Sequence, residues 1–211
     1  MRYSKEHKQE THARIVRKAS VKLRERGAHG IGVADLMKEA GLTHGGFYAH
    51  FASREGLVIE AFIYAMDRSL AGWRQKTEAL PMAERFAAIV ESYLSTSHRD
   101  DPGRGCALAA LAAEIGRESV KTRRAFAGKL GEMIGLLADA VPEGTEEEKR
   151  RQAIAAVATM VGTLILARVG GNGDLSDEIL AAGRQALLAS PASARRRAAR
   201  NTSEKGPAAA E

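Results

Sequence analysis

Apolar side chains recur every three or four positions through most of the chain, which is the spacing of the buried face of an α-helix. The first such stripe covers residues 15–23 and is followed by Gly27, where a helix C-cap is expected. A second, shorter stripe covers residues 33–40 and ends at Gly41. The pattern therefore predicts two helices of unequal length before residue 42.

Helix-start signals mark the next two elements. Thr43 is a suitable N-cap for a short helix over roughly residues 44–50, and Ser53 for a long helix that continues to about Ala79. Pro81 lies just beyond, where proline would stop the helix.

The rest of the chain also has helical periodicity. The predicted helices cover residues 82–97, 104–116, 119–140, 145–169 and 176–189. Hydrophobic residues make up 45% of the chain and aromatic residues only 5%. Ala and Leu, both strong helix formers, supply most of the apolar surface. We find no credible strand and predict an all-α protein.

The net charge of +6 is unevenly distributed. Residues 1–54 contain 11 Lys and Arg against 5 Asp and Glu, residues 55–189 contain 16 against 19, and residues 190–211 contain 5 against 2. A basic first segment predicts contact with a polyanion, although a solvated basic helix face would have the same composition. The predicted domains are a small N-terminal domain (1–54), a helical domain (55–189) and a disordered basic tail (190–211).

The chain has one cysteine, so no intramolecular disulfide can form and a reducing compartment is favoured. Its first residues are polar and lack the apolar stretch of a signal peptide. The longest uncharged run, residues 152–167, is short for a membrane span. We therefore expect a soluble, cytoplasmic protein that does not bind a membrane.

The most informative segment is residues 27–55, where a four-residue turn joins two short predicted helices. The second helix contains Gly45 and Gly46, each of which disfavours a helix by about 1 kcal/mol relative to alanine. Adjacent glycines make sense where the backbone must approach another surface closely. The recognition helix of a helix-turn-helix approaches the DNA major groove in this way and reads base edges from its N-terminal turn.

In this interpretation Phe47 and Phe51 anchor the recognition helix to the core, while polar side chains beside them donate hydrogen bonds to phosphates. The residues predicted to contact DNA are Thr43, His44, Gly45, Gly46, Tyr48, His50 and Arg54. Simpler roles stay open: Tyr48 as an aromatic at the core edge, His50 as a surface residue that ends the helix, and Arg54 as a solvated charge.

These residues carry a family resemblance. Residues 42–51, LTHGGFYAHF, and residues 53–57, SREGL, resemble the signature of the TetR family. That signature has an aromatic-Tyr-x-His/Tyr-Phe block, then a basic residue and a leucine that begin the next helix. Residues 33–41, VADLMKEAG, are similar to the second helix of the family. The resemblance is confined to roughly residues 10–65.

The resemblance implies a three-helix DNA-binding domain that a long fourth helix joins to a regulatory domain. It also implies a homodimer formed by the last two long helices, and repression of a pseudo-palindromic operator until a ligand changes the spacing of the two DNA-reading heads. Gly32 departs from the family, which often has a threonine there. His44 and Gly46 stand where Lys or Arg and Ala, Ser or Thr are common, which bears on the operator sequence.

Cys106 is predicted to lie in the first turn of the helix over residues 104–116, where the helix N-terminus and Arg104 would favour a thiolate. The surrounding sequence also resembles a subgroup of the family with a Gly-Cys pair at this place, some of whose members sense electrophiles or oxidants. The alternative is a small buried apolar residue, and burial would disfavour the thiolate.

Several large apolar side chains of the second domain could line a small-molecule effector pocket or belong to the core. They are Trp73, Phe86, Tyr93, Phe126, Met133 and Met160. Between residues 153 and 167, small and apolar residues cover most of the circumference of one helix. This pattern predicts burial by a second copy of the chain, or by the protein's own core.

Together these features predict a dimeric, sequence-specific DNA-binding repressor, released from a palindromic operator by a small-molecule or thiol-reactive signal. A DNA-binding activator, or an architectural protein without an inducer, would use the same first domain. A helical small-molecule enzyme is disfavoured, because no carboxylate pair, nucleophile triad or metal-ligand set occurs in a recognisable context. No cofactor or metal is expected.

Overall fold

The computed structural model describes residues 5–189. Its helices are α1 (Lys5–Arg26), α2 (Val33–Glu39), the 3-10 helix η1 (His44–Ala49), α3 (Arg54–Glu78), α4 (Met82–Tyr93), α5 (Thr96–Asp100), α6 (Ala107–Ile115), α7 (Val120–Asp139), α8 (Glu146–Val169) and α9 (Asp174–Leu188). No residue in this range forms a strand, so the predicted all-α fold is confirmed. The predicted tail, residues 190–211, lies outside the described residues.

The first three helices form the predicted helix-turn-helix. α1 buries its apolar stripe, centred on Ala19, against α3. Gly27 and Gly41 follow α1 and α2 with φ angles of 82° and 74°, in the left-handed region that glycine adopts without steric cost. The two glycines therefore let the chain turn sharply twice and place η1 against α2.

α3 begins at the predicted N-cap. The hydroxyl oxygen of Ser53 accepts the backbone N–H of Gly56 over 3.1 Å, which satisfies one of the free donors of the first turn. The helix then runs for 25 residues, with Leu57, Phe62, Met66 and Leu70 fully buried along one face. α3 therefore links the helix-turn-helix to the rest of the protein as one continuous element.

Two predicted boundaries in the second half are wrong. Residues 82–97 form two helices, because α4 ends at Tyr93 and Ser95 caps a new helix by accepting the N–H of His98 over 3.2 Å. α6 begins at Ala107, since residues 101–105 form turns in which the Asp101 carbonyl accepts the N–H of Arg104. Cys106 is therefore the N-cap of α6 and does not lie in its first turn.

The last three helices pack side by side, with α8 between α7 and α9. The approach of α9 to α8 is close at Gly183, where a Cβ atom would lie 2.5 Å from the Cγ2 atom of Thr163. The buried guanidinium of Arg99 on α5 donates to Ser176 over 2.9 Å and to Asp177 over 2.6 Å. These bonds fix the short helix α5 to the start of α9.

α8 has apolar side chains on more than one face. Met160 and Leu164 are fully buried, whereas Ile154, Leu166 and Val169 stay 47%, 58% and 81% exposed. By length and composition alone, α8 could cross a membrane, although the uncharged run was expected to be too short. The helix is longer than that run at both ends, and a single helix of this kind is weak evidence for a span. In a single chain, the exposed side chains of Ile154, Leu166 and Val169 therefore leave part of the apolar surface of α8 uncovered.

Candidate nucleic-acid interface and internal chamber

η1 turns an aromatic pair inward and polar residues outward. Phe47 and Phe51 are 1% and 3% exposed, and their rings stack with centroids 5.4 Å apart. The opposite side presents what we call the η1 surface, which consists of Thr43, His44, Gly45 and Tyr48, all exposed. The structure thus leaves four of the predicted DNA-contacting residues exposed on and beside the short helix whose buried side carries the predicted aromatic anchor.

Glycine at position 45 has no internal explanation. A Cβ atom on Gly45 would meet nothing within 4 Å, and its φ is outside the left-handed region. At Gly46, a Cβ atom would lie 3.7 Å from the Met37 Cε atom, which is an ordinary contact. Neither packing nor backbone conformation within residues 5–189 therefore requires glycine at position 45.

His50 lies half-buried at the end of η1. Its Nδ1 atom is buried and has no hydrogen-bond partner among the described residues. Burial lowers the pKa of His50 below its usual 6.5, and the nearby His12 and Lys8 lower this pKa further. The imidazole is therefore neutral at neutral pH and can donate one N–H to a ligand.

Arg54 does not lie on the η1 surface. Its Nη2 atom donates to the carbonyl oxygen of Ala28, and to that of Ile31 over 3.3 Å. Both carbonyls belong to the loop between α1 and α2, so Arg54 ties this loop to the start of α3. Arg54 therefore has a positioning role within the protein, and its phosphate contact stays a prediction.

A groove beside η1 contains residues that sequence analysis missed. It has a volume of about 320 Å³ and lies between the first half of α1 and the end of η1. Its walls include Lys8 and Arg14 of α1, together with Leu42, Ala49 and His50. The only sequence signal for the two cations was the basic excess of residues 1–54, which does not single out positions.

The helices after η1 border an open cavity of about 460 Å³, which we call the chamber, between α3, α4, α5, α7 and the turn before α6. Its apolar wall consists of Trp73, Tyr93, Cys106 and Met133, and its charged or titratable side chains are Arg68, Lys76, His98, Asp101 and Arg104. A cavity of this size with mixed apolar and polar walls is typical of small-molecule sites.

Three of the six predicted pocket residues, Phe86, Phe126 and Met160, do not line this chamber. Phe126 stacks on Phe62 of α3 with the two rings 13° from parallel, and Met160 is completely buried within the core. These three side chains belong to the hydrophobic core, the alternative that the sequence left open, because apolar size alone does not separate a cavity wall from a filled core.

Two hydrogen bonds of the His98 ring fix the part of the chamber wall that contains Cys106. The backbone N–H of Cys106 donates to the Nε2 atom of His98 over 2.9 Å, so this nitrogen is unprotonated. The Nδ1 atom of His98 lies 2.7 Å from the carbonyl oxygen of Tyr93 and donates to it. Burial lowers the pKa of His98, which keeps the neutral ring that this pair of bonds requires.

Cys106 is 3% exposed and faces Tyr93. The hydroxyl oxygen of Tyr93 is buried, and no group among residues 5–189 meets hydrogen-bond geometry with it. Burial raises the pKa of Tyr93 well above its usual value, and the Cys106 thiol raises it further. Arg104, expected beside the thiol, has an 86% exposed side chain 3.7 Å from the carboxylate of Asp101. Arg104 is therefore paired with Asp101 and not with the Cys106 thiol, contrary to the prediction.

Little room exists for a side chain at position 105, next to Cys106. A Cβ atom there would lie 2.8 Å from a guanidinium nitrogen of Arg168 and 2.9 Å from the ring of His98. Arg168 in turn donates to the carbonyl oxygens of His98 and Arg99 over 2.9 Å and 3.1 Å. The packing of Arg168 and His98 on this wall of the chamber thus favours glycine at position 105.

Comparison with known proteins agrees with this architecture. Residues 15–61 match the family described as bacterial regulatory proteins, tetR family. An HTH-type transcriptional regulator of Mycobacterium tuberculosis is 30% identical over 167 residues, which cover 74% of this chain and 83% of the relative. The HTH-type transcriptional repressor NemR of Escherichia coli is 29% identical over 182 residues, covering 80% and 88%.

Solved structures have the same fold. The reduced form of E. coli NemR superposes with a TM-score of 0.70 at 21% identity, covering 82% of this chain and 95% of that one. The regulator FadR of Bacillus subtilis, solved in complex with stearoyl-CoA, superposes with a TM-score of 0.66 at 17% identity, covering 84% and 97%. The chain therefore belongs to the TetR family and is a helix-turn-helix transcriptional regulator.

Proposed function

We propose that this regulator is a dimeric, cytoplasmic repressor without catalytic activity. In this proposal it binds a two-fold DNA operator and releases it when a small molecule or a thiol-reactive compound enters the chamber. The observation that carries the proposal is the η1 surface, where four polar or small residues stand exposed over the buried pair Phe47 and Phe51.

The η1 surface fits the DNA major groove. Thr43 and His44 lie at the N-terminal turn of η1, from which recognition helices read base edges. The empty space around Gly45 lets the backbone approach the bases without a Cβ atom between them. In this proposal Tyr48 and His50 donate hydrogen bonds to phosphates. Lys8 and Arg14 of the neighbouring groove attract the DNA backbone whatever its base sequence.

The uncovered apolar side chains of α8 and α9 support a homodimer. Ile154, Leu166 and Val169 of α8 and Leu175 of α9 are all at least 47% exposed. A second copy that packs the same helices against these would remove the patch from water. Such an interface has two-fold symmetry, so the two η1 surfaces face two half-sites about one helical turn apart, roughly 34–36 Å.

Residues 1–54 then serve as the DNA-reading head and residues 55–189 as the regulatory and dimerisation domain. The apolar core runs without interruption from α1 through α3 into the later helices. A displacement of α3 by a bound effector would therefore be transmitted to the head through packed side chains.

The chamber is the proposed effector site. The solved complex of FadR contains stearoyl-CoA, so one protein of this fold holds a small organic molecule. In this chain, Trp73 and Met133 offer apolar surface, and Cys106 lies on the same wall. A compound that reacts with the thiol would leave its substituent inside the chamber, where it would occupy the same space as a noncovalent effector.

Selection of bound duplexes from a random DNA pool tests the proposal. We expect the selected site to have dyad symmetry, and a reporter placed behind it to be repressed by the protein. Activation of that reporter would favour an activator that uses the same head. A selected site without dyad symmetry, or a monomer at micromolar concentration in sedimentation, would contradict the dimeric repressor.

A further inference from the structure

A second cavity adjoins the chamber and is strongly cationic. We call it the arginine pocket, because its walls include Arg17, Arg24, Arg68 and Arg104. It has a volume of about 290 Å³ and lies between α1, α3 and the turn that precedes α6. No carboxylate lines it among the described residues.

The charges of this pocket are incompletely neutralised. The side chain of Arg24 is only 8% exposed and donates to the carbonyl oxygen of Gly103, through Nε over 2.9 Å. Burial lowers the pKa of Arg24, and the positive charge of Arg68 lowers it further. The guanidinium groups of Arg17 and Arg68 form no hydrogen bond or ion pair within residues 5–189.

Two carboxylates lie nearby. Asp101 faces the chamber and pairs with Arg104 at 3.7 Å, and its charge raises the pKa of Arg24 against the effect of burial. Glu25 lies beside Gly103, whose carbonyl oxygen Arg24 binds, and pairs with Lys22 at 3.2 Å. Four arginines and these two carboxylates leave an excess of positive charge at the mouth of a partly buried space. A bound anion would accept charge-assisted hydrogen bonds there and relieve the repulsion between Arg24 and Arg68.

The two cavities are adjacent. Arg68, Ser69 and Arg104 line both the arginine pocket and the chamber. A molecule that spans them would meet guanidinium groups at one end and the ring of Trp73, with Met133, at the other. The joint site is therefore amphipathic along its length.

We propose that the arginine pocket binds the acidic head group of an amphipathic organic anion whose apolar body lies in the chamber. The proposal rests on the assignment of the chamber as the effector site and adds the chemical class of the effector. The acidic group contacts Arg17 and Arg24 of α1 and Arg68 of α3 at once. It thereby joins the helix-turn-helix to the regulatory helices, which an apolar ligand confined to the chamber would not do.

Trp73 is the single tryptophan of the chain and lines the chamber, so its fluorescence reports binding there without DNA. We would titrate the full-length protein with decyl phosphate, decanoate and decanol, which share an apolar body and differ in the head group. Decyl phosphate is expected to bind at least about tenfold more tightly than decanol, the worth of one charge-assisted hydrogen bond. If decanoate binds as tightly as decyl phosphate, the pocket recognises acidic groups in general. If decanoate binds more weakly, the pocket prefers phosphate. Either result supports the proposal.

Arg17→Gln should weaken the binding of decyl phosphate by about fivefold or more and leave the binding of decanol unchanged, because Arg17 lines only the arginine pocket. Arg68→Gln should weaken the binding of decyl phosphate at least as much. The matched control is Arg124→Gln, an exposed arginine of α7 that lines neither cavity. Since Arg17 and Arg68 have exposed side chains, their thermal unfolding midpoints should equal that of the parent.

Equal affinities for decyl phosphate and decanol, no change in Trp73 fluorescence with any probe, or full affinity in both arginine variants would each overturn the inference. Because the readout is Trp73 and not DNA, failure to select an operator would leave these results unchanged. Failure of the two proposals can therefore be told apart.

Discussion

The carboxylate of Glu114 on α6 accepts the backbone N–H of Ala28 over 2.8 Å and that of His29 over 3.3 Å. Both donors belong to the loop between α1 and α2, and Arg54 binds two carbonyl oxygens of the same loop. The loop that positions α2 is thus held by one charged side chain from α6 and another from α3.

Glu114→Ala should lower the free energy of unfolding by about 1–2 kcal/mol, because two backbone donors lose a charged acceptor. It should also weaken DNA binding, since the loop sets the position of α2 and η1. Glu147→Ala is the control: the side chain of Glu147 is 89% exposed and should cost less than about 0.5 kcal/mol. Chemical denaturation of both variants measures the difference in the free energy of unfolding. Equal free energies for the two variants would show that the hydrogen bonds of Glu114 do not stabilise the fold.

Gly45→Ala should separate stability from DNA binding. A methyl group at position 45 meets nothing within 4 Å, and alanine favours a helix over glycine by up to about 1 kcal/mol, so the variant should be at least as stable as the parent. The same methyl group would stand between η1 and the bases, and operator affinity should fall about tenfold or more.

Gly128→Ala on α7 is the matched control, since its Cβ atom is equally unopposed. It should gain stability without any effect on operator affinity, as measured by fluorescence anisotropy. Full affinity in Gly45→Ala would mean that η1 does not approach DNA through this glycine.

Arg54→Ala and Arg14→Ala should differ in the salt dependence of DNA binding. Arg14 lines the groove beside η1, so its loss should reduce the slope of log K against log salt by about one, as for one phosphate contact. Arg54 is engaged with the carbonyls of Ala28 and Ile31. Its loss should weaken binding through the loop while leaving the slope unchanged, and a reduced slope would restore the phosphate contact predicted from the sequence.

The neutral imidazole of His98 should make stability fall in weak acid. Its pKa is lowered in the folded protein, so the unfolded chain binds the proton more readily once the pH drops below about 6.5. The stabilisation is complete above the pKa of the unfolded state and declines as the pH falls towards the folded pKa. His98→Gln, which keeps an acceptor for Cys106, should flatten this decline in urea titrations at several pH values. His50, whose pKa is also lowered, should contribute to the decline that remains, and the carboxylates with lowered pKa, such as Glu148, should contribute at lower pH.

Cys106 should react slowly with iodoacetamide in the native protein, because it is 3% exposed. Once modified, the parent should lose operator affinity, since the added group occupies the chamber. Cys106→Ser treated in the same way should keep its affinity, and no other thiol of the chain can react. Modification without any loss of DNA binding would leave Cys106 as a core residue only.

The elements with short-range signals were predictable from the sequence. Ser53 caps α3, Gly27 and Gly41 end the first two helices, and Phe47 and Phe51 are buried, because each depends on nearby residues alone. The chamber was predicted only in part. Whether an apolar side chain faces a cavity or a neighbour, as Trp73 and Phe126 do respectively, depends on helices distant in sequence.

The role of Arg54 shows the same limit for charged groups. Its position in the sequence favours a DNA phosphate, but its partners are carbonyls 26 and 23 residues earlier in the chain. The arginine pocket was likewise invisible, because its four arginines come from α1, α3 and the turn before α6 and are spread over almost ninety positions.

The uninterrupted length of α3 gives the protein a lever arm. Its 25 residues correspond to about 37 Å at 1.5 Å per residue. Arg54 is at one end, under the helix-turn-helix, and Trp73 near the other, in the chamber wall. A tilt of α3 by about 5° around its chamber end would therefore move its other end by about 3 Å, on the scale of a single hydrogen bond. Small adjustments around an effector are thus geometrically sufficient to take η1 out of register with the bases, and in a dimer the two displacements would add.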